Sequence, residues 1–440
     1  MGCGHYRPSI APRAAPACYT SPMARRSPAL PAALAATLLA VALAGVRPEP
    51  DAEAAGNATH SSQAVTEFPG RNEPRRPDER AAAIARANAA YVAEHPRTFT
   101  LVATGDVLLH TALWEQARAD AAAAGNPGVH DFGPLLAGIR PVVSGADVAI
   151  CHMETPVAPP GGPFSSYPSF SVPPEIAPAL AAIGYDACTT ASNHTYDRGA
   201  DGVTRTLDAL DAAGLRHAGS ARNPQEAGTT TVLDVEGVRL ALLSYSYGFN
   251  GIPPPGGQAW RSNPIDERRI LTDAGVARRR GAEVVVVALH WGDEYNHDPN
   301  GQQQALAPRL IRSPDIDLLL GHHAHVVQPI EAIANEWVVY GMGNLVSNQG
   351  SQGPDKLEGL LVRFGFTEQP NGGWLVTDAE FSAVLTDDRG PIRVLDVRRA
   401  LADSATDPTL RPRLQTAWQR TAAIAGARGG PSHGLRPMAP

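Results

Sequence analysis

Cysteine is scarce in this chain, four residues in 440, and no two of them form a Cys-x-x-Cys pair. A thiolate-held zinc site and a dithiol redox motif are thereby excluded. Cys3 and Cys18 precede an apolar N-terminal run, which leaves Cys151 and Cys188 inside expected core strands. The plain reading of these two is small buried hydrophobes, with a disulfide as the alternative in an oxidising compartment. Positive charge is short as well. The formal net charge is −7 and the pI about 6.1, so there is no basic footprint for nucleic acid. No Gly-x-x-x-x-Gly-Lys-Ser/Thr loop and no His-Glu-x-x-His helix occurs, which removes two common routes to phosphate and zinc chemistry. Gly430-Pro431-Ser432-His433-Gly434 has the letters of a nucleophile elbow. It lies in the tail, without the strand before it and the helix after it that such an elbow needs. Internal repeats are lacking too.

What is there begins with 43% hydrophobic residues, ample for a core. The length allows one large domain with appendages or two ordinary ones. Arginine dominates the basic residues, and Ala, Gly and Pro are abundant, a compositional bias without functional content. Met23-Ala24-Arg25-Arg26 is followed by an Ala/Leu-rich run to about Val46. A basic segment and a short apolar one describe a secretory signal peptide over residues 1–46, with Met23 as a possible true start. An uncleaved anchor helix is the alternative, although Pro28 and Pro31 shorten the run towards the lower limit for crossing a bilayer. The expected location is secreted or at the outer face of the cytoplasmic membrane. Residues 47–96 read as a linker that turns helical over 78–94.

From about Arg97 strands and helices alternate. Helices are expected over 111–124, 132–144, 174–183, 202–213, 266–280 and 303–311, with Gly184 and Gly214 as C-terminal stops. Strand pairs joined by tight turns are expected over 231–245 and 328–342, and further strands over 359–366 and 374–383. Strand–helix units come first and hairpins later, which predicts an α/β domain over 97–400 with layered mixed sheets rather than one parallel sheet. Residues 401–440 read as one helix, 410–425, and a disordered tail.

Five apolar strand-like runs end in polar clusters. Residues 99–104 lead to Gly105-Asp106, 146–150 to His152-Met153-Glu154-Thr155, and 185–191 to Ser192-Asn193-His194-Thr195-Tyr196-Asp197. Residues 284–289 lead to His290-Trp291-Gly292-Asp293-Glu294-Tyr295, and 316–320 to Gly321-His322-His323-Ala324-His325. In open α/β folds, ligands gather at these strand ends. His323 and His325, two apart, point the same way if the chain is extended. Each fragment alone is ordinary: an Asn-His turn, an aromatic corner at His-Trp-Gly, an acidic residue after a strand. Their joint occurrence is not. Carboxylate, amide and imidazole groups without thiolate suit one or two Mn²⁺, Zn²⁺ or Fe²⁺ ions. A pair of such ions lies about 3.5–4 Å apart and activates water near neutral pH, giving hydrolysis without a covalent intermediate. The loops 156–173 and 248–264 follow two of these ends and are expected to face substrate.

Six segments in order carry a resemblance. They are Thr104-Gly105-Asp106-Val107, Met153-Glu154-Thr155-Pro156, Asn193-His194-x-x-Asp197-x-Gly199, His290-Trp291-Gly292-x-Glu294-Tyr295, Gly321-His322-His323-Ala324-His325 and Tyr340-Gly341-Met342-Gly343-Asn344-Leu345. Over residues 99–387 the chain resembles the CapA family, which is linked to poly-γ-glutamate capsule synthesis and has a calcineurin-like metallophosphoesterase fold. The resemblance implies a layered α/β/β/α sandwich of mixed sheets. It also implies Asp106 and His325 as ligands of a first metal, Glu154 as the bridging carboxylate, and Asn193, His290 and His323 as ligands of a second. His194 would orient water or protonate a leaving group, with Asp197 beside it. His322, Glu294 and Asn344 would support the ligands or face substrate.

Two positions depart from the pattern. Leu108 stands where metallophosphoesterases usually have a histidine ligand, with His110 two residues further on. His152 stands where the family usually has asparagine, and could supply a compensating ligand. The implied activity is metal-dependent hydrolysis of a phosphoester, or of an amide, in or around an anionic envelope polymer. The implied partners are that polymer and membrane-bound synthase subunits. The alternative is a non-catalytic, surface-anchored assembly subunit. A nucleotidase would need base-stacking residues, for which Phe164, Tyr167, Trp260 and Tyr295 are candidates.

Overall fold

The computed structural model describes residues 77–440. The expected signal or anchor segment lies outside the described residues, as does the front of the linker. The linker's helical part is present as Pro77–Glu94. Among the described residues, no helix is long and apolar enough to cross a membrane.

Fifteen strands follow in chain order: β1 Thr98–Val107, β2 Val148–Met153, β3 Ala187–Thr189, β4 Arg216–Ala218, β5 Thr231–Val235, β6 Val238–Ser246, β7 Val284–His290, β8 Leu318–His322, β9 Ile330–Ile333, β10 Glu336–Val339, β11 Asn344–Val346, β12 Glu358–Glu368, β13 Trp374–Asp387, β14 Arg393–Asp396 and β15 Leu435–Pro437. They form two sheets. One runs β14-β13-β12-β1-β2-β3-β4, with β11 also paired to β1 and β15 to β13. The other runs β5-β6-β7-β8-β10-β9. Both are mixed. β1 to β4 are mutually parallel, while β12, β13 and β14 are antiparallel additions. In the second sheet β6, β7, β8 and β10 are parallel, with β5 and β9 antiparallel at the edges.

Period-two alternation sorts the side chains into layers. Leu101, Ala103 and Ile150 of the first sheet meet Leu240, Leu242 and Val286 of the second between the sheets. Val102 and Ala149 face the other way, onto the helices Thr111–Ala123, Ile176–Ile183 and Gly199–Ala212. Val285, Val287 and Leu289 face the helices Glu267–Arg279 and Gly301–Ile311. Every residue of β7 is buried because both its faces are covered. This is the layered α/β/β/α sandwich of mixed sheets that the sequence implied.

Three expectations are corrected. The single helix expected over 132–144 is two short turns, Gly133–Leu136 and Arg140–Val143. Between them Gly138 lies against β14, where a Cβ would come within 2.4 Å of the Val394 carbonyl oxygen, so the chain runs there as a bridge and not as a helix. The tail is not disordered. After the helix Arg411–Ala425, β15 adds to β13, and Leu435 and Met438 are buried. Its Gly-x-Ser-x-Gly letters form an exposed turn ahead of that strand, with the Ser432 hydroxyl donating to the Gly429 carbonyl. Finally, Cys151 and Cys188 face each other in register on β2 and β3, and a disulfide joins them.

Candidate metal centre

All five strand-end clusters meet at one end of the sandwich, because the strands that carry them are parallel neighbours. Asp106 on β1 is in register with Asn344 on β11 and with His152 on β2. His290 on β7 is in register with His322 on β8. Beyond β8 the chain does not stay extended. His323 and His325 have φ of 88° and 54°, so each turns back over the strand ends. Just before the turn, Gly321 lets β8 pack closely on the chain after β10: a Cβ there would lie 1.8 Å from the Tyr340 carbonyl oxygen. The two imidazoles converge on the cluster through this turn and not through the simple alternation expected, with ring centroids 5.8 Å apart.

The first group is Asp106, Glu154 and His325, all buried. Asp106 Oδ1 accepts from His322 Nδ1 at 2.9 Å, and Oδ2 accepts from the His323 backbone N–H at 3.1 Å. His325 Nδ1 is shared between Asn344 Oδ1 at 3.0 Å and Asp106 Oδ2 at 3.2 Å, while its Nε2 lies 3.6 Å from Glu154 Oε1. Burial would raise the Asp106 carboxyl, but the hydrogen bonds from His322 and His325 outweigh it and hold it well below the usual range. Glu154 goes the other way: burial pushes it well above that range despite the pull of His325. Burial would lower His325, yet the charges of Glu154 and Asp106 raise it to about 9.

The second group is Asn193, His290 and His323, also buried. Asn193 Oδ1 accepts from His290 Nε2 at 2.9 Å, and Asn193 Nδ2 donates to Asn250 Oδ1 at 3.2 Å. The ring of His323 lies 4.7 Å from that of His290. Burial, helped by the charge of His325, lowers His323 to about 3, and burial likewise holds His290 well below the ordinary histidine value.

Beside Asn193, His194 Nδ1 donates to Asp197 Oδ2 at 2.8 Å. That carboxylate oxygen also accepts from the Phe170 backbone N–H at 2.7 Å, and the Phe170 ring meets the His194 ring edge-on at 4.7 Å. Asp197 therefore fixes the ring of His194 through Nδ1. Both expected substrate loops reach this region, one through Phe170 and the other through Asn250.

Every sequence-derived site residue thus falls in this one region: Asp106, Glu154, Asn193, His290, His323 and His325, with His194 and Asp197 at its side. His152 lies beside this set, between Thr189 and His290. Its Nδ1 accepts from the Thr189 hydroxyl at 2.8 Å and its Nε2 lies 2.9 Å from His290 Nδ1. Asp106, His152 and His322 also bring ligand atoms within 4.8 Å of one another. His110 Nδ1 accepts from the Asn348 backbone N–H at 3.2 Å. Sequence reasoning missed Tyr247, whose ring lies 4.4 Å from that of His323, and Asn250. Tyr247 directly follows β6, but no cluster of metal-ligating residue types marks that strand end, and Asn250 lies in the loop beyond it. Glu294 was placed among supporting residues; it is exposed, and its carboxylate lies within 4.8 Å of ring nitrogens of His323 and His325.

Two observations test whether these residues suit divalent cations. Neither oxygen of Glu154 has a hydrogen-bond partner among the described residues, although both are buried. The same holds for His323 Nδ1. Buried polar atoms are otherwise almost always paired, and a carboxylate and an imidazole without partners, among the side chains of four more candidate ligands, match the donor set of a divalent cation. Asp106, Glu154 and His325, and likewise Glu294, His323 and His325, bring ligand atoms within 4.8 Å of one another.

Fold and cluster together define the class: a two-sheet α/β protein with carboxylate, amide and imidazole donors of metal-centre type at its parallel strand ends. Residues 100–349 match the profile described as bacterial capsule synthesis protein PGA_cap. The match spans more than half of the chain, and the chain belongs to that family. It is 30% identical over 181 residues to the capsule biosynthesis protein CapA of Bacillus anthracis, covering 40% of this chain and 43% of that one. It is 31% identical over 176 residues to the PGA biosynthesis protein CapA of Bacillus subtilis, covering 39% and 45%. The match therefore spans less than half the length of either Bacillus relative. A probable polyglutamine synthesis accessory protein of Mycobacterium tuberculosis is 26% identical over 279 residues, 60% of this chain and 70% of that one. Among solved structures, a phosphatase of Mycoplasma pneumoniae aligns with a TM-score of 0.41 at 12% identity, over 67% of this chain and 96% of that one. The calcineurin-like phosphoesterase YfkN of Bacillus subtilis aligns with a TM-score of 0.37 at 15% identity, over 74% and 98%.

Proposed function

We propose that this protein is a metal-dependent hydrolase acting on a phosphoester or amide bond of an anionic envelope polymer of the polyglutamate kind, or of its precursors. The observation that carries the reading is Glu154: a fully buried carboxylate, unpartnered at both oxygens, facing His325 and set among further imidazoles. Asp106, Glu154 and His325 would hold one divalent cation and Asn193, His290 and His323 a second, with Mn²⁺, Zn²⁺ or Fe²⁺ as the ions suited to these donors. When bound, such ions supply polarisation of water and of the attacked centre.

The remaining work falls to the chain itself. His194, oriented by Asp197, presents Nε2 to the leaving group and can deliver a proton to it. Asn250 holds the Asn193 amide with its oxygen towards His290. The rings of Tyr247 and Phe170 stand against those of His323 and His194. The family's link to capsule synthesis supports the polymer as substrate and a membrane-bound synthase as partner. The Cys151–Cys188 disulfide supports a location outside the cytoplasm, secreted or at the outer face of the membrane.

The test is turnover of an aryl phosphodiester and of a γ-glutamyl anilide in the presence of Mn²⁺. Wild type should exceed His290→Ala and His323→Ala by at least about a hundredfold on one of the two, since loss of metal stabilisation costs several kcal/mol. Equal, low rates on both substrates in all three proteins would overturn the hydrolase and leave the assembly-subunit reading.

A further inference from the structure

Below the six candidate ligands runs a chain of contacts with no assigned role. Asn193 Oδ1 meets His290 Nε2 at 2.9 Å, His290 Nδ1 meets His152 Nε2 at 2.9 Å, and His152 Nδ1 meets the Thr189 hydroxyl at 2.8 Å. The Thr189 hydroxyl has a second acceptor in the Cys151 carbonyl at 3.4 Å. His152 is wholly buried and stacks on His322 at 4.0 Å between centroids, so its ring has no room to turn. The backbone fixes the Thr189 end of this chain. His152 and Thr189 are in register on β2 and β3, and the disulfide ties the preceding register pair of the same strands.

From this geometry we infer that His152, backed by Thr189, is a positioning residue that sets which nitrogen of His290 carries the proton, so that Nε2 can face the metal centre bare. The inference rests on the metal-centre reading and concerns tautomers, not protonation, since each imidazole carries one proton throughout. In the arrangement observed, His290 carries its proton on Nε2 and donates to Asn193. Its bare Nδ1 then accepts from His152 Nε2–H, and the bare His152 Nδ1 accepts from Thr189. To ligate through Nε2, His290 must carry the proton on Nδ1 instead. It then donates to His152 Nε2, His152 carries its own proton on Nδ1 and donates to Thr189, and the Thr189 hydroxyl turns to the Cys151 carbonyl. Every donor keeps an acceptor in both senses. A threonine hydroxyl that can both donate and accept permits this reversal. Partners behind a ligating imidazole of this kind are worth roughly 10- to 100-fold in metal affinity.

The experiment is titration of Co²⁺ into the metal-free protein, read by visible absorption and by bound cobalt per chain, for wild type, His152→Ala and Thr189→Val. Nitrogen-15 NMR of the histidine rings in the metal-free and Zn²⁺-loaded proteins accompanies it. Thr189→Val is nearly isosteric, so it reports even if His152→Ala folds poorly. The expected result is affinity at one site weakened about 10- to 100-fold in His152→Ala and several-fold in Thr189→Val, with the number of sites preserved. The proton of His290 should move from Nε2 to Nδ1 on loading. Unchanged cobalt affinity in Thr189→Val together with an unmoved His290 tautomer would overturn the inference while leaving the metal centre standing. Loss of one whole site in His152→Ala, with Thr189→Val unaffected, would make His152 a ligand and also overturn it. A wild type that takes up no cobalt would bring down both this inference and the proposed function.

Discussion

At the scale of single residues, the sequence shows the candidate ligands because each follows an apolar run. A buried strand that ends abruptly in Asp106, Glu154, Asn193 or His290 places a polar group where a fold must either pair it or use it. Tyr247 and Asn250 are not legible in this way. Their approach to His323 and Asn193 depends on the path of a long loop, and nothing local encodes it. His152 is half legible: its residue type is conspicuous, but its role depends on Thr189 and His290, one on the neighbouring strand and one on the other sheet. Glu154 yields the sharpest prediction. An unpartnered buried carboxylate costs stability, and a bound cation offsets that cost. Glu154→Gln should bind less than half the divalent metal of wild type by elemental analysis, while its metal-free form melts at the same temperature or higher. A variant with full metal content, or one whose metal-free form melts much lower, would mean that Glu154 serves the fold and not the centre.

At the scale of elements, the long strands were readable from apolar runs and the helices from their periodicity and glycine stops. The short strands β4, β11, β14 and β15 were not, because three or four residues carry no period and each is defined by the neighbour it pairs with. The same cause split the expected helix at 132–144, since the bridge of Gly138 to Leu395 is a property of β14 and not of the helix. The turn between β9 and β10 offers a test at this scale. Burial, with Asp317 nearby and against the pull of Arg278, raises Glu336 from 4.5 to about 8. The folded protein then holds this proton more tightly than the unfolded chain does. The stability it contributes is complete below about pH 4.5 and is lost as pH rises through 8. Glu336→Gln removes that loss. The melting temperature of wild type should fall relative to the variant between about pH 5 and 9, and two parallel curves would show that Glu336 is solvated in solution.

At the scale of the molecule, the sandwich brings donors from both sheets to one end: Asp106, Glu154 and Asn193 from the first, His290, His323 and His325 from the second. Neither sheet alone holds the whole set, so whatever holds the sheets together holds the site. The tail contributes to this. Ala425 and Leu435 enter the core between the sheets, and Met438 the layer beyond the first. Removing residues 426–440 takes away two buried side chains, Leu435 and Met438, whose burial is worth about 1.5–3 kcal/mol each. Truncation is therefore expected to cost roughly 3–6 kcal/mol in urea unfolding, and an unchanged midpoint would show that the tail merely rests on the surface. The most direct test of the centre is anomalous diffraction from crystals grown with Mn²⁺. One or two manganese peaks should lie among the side chains of Asp106, Glu154, Asn193, His290, His323 and His325. Manganese bound only elsewhere, or an empty cluster at saturating metal, would contradict the metal centre and the hydrolase built upon it.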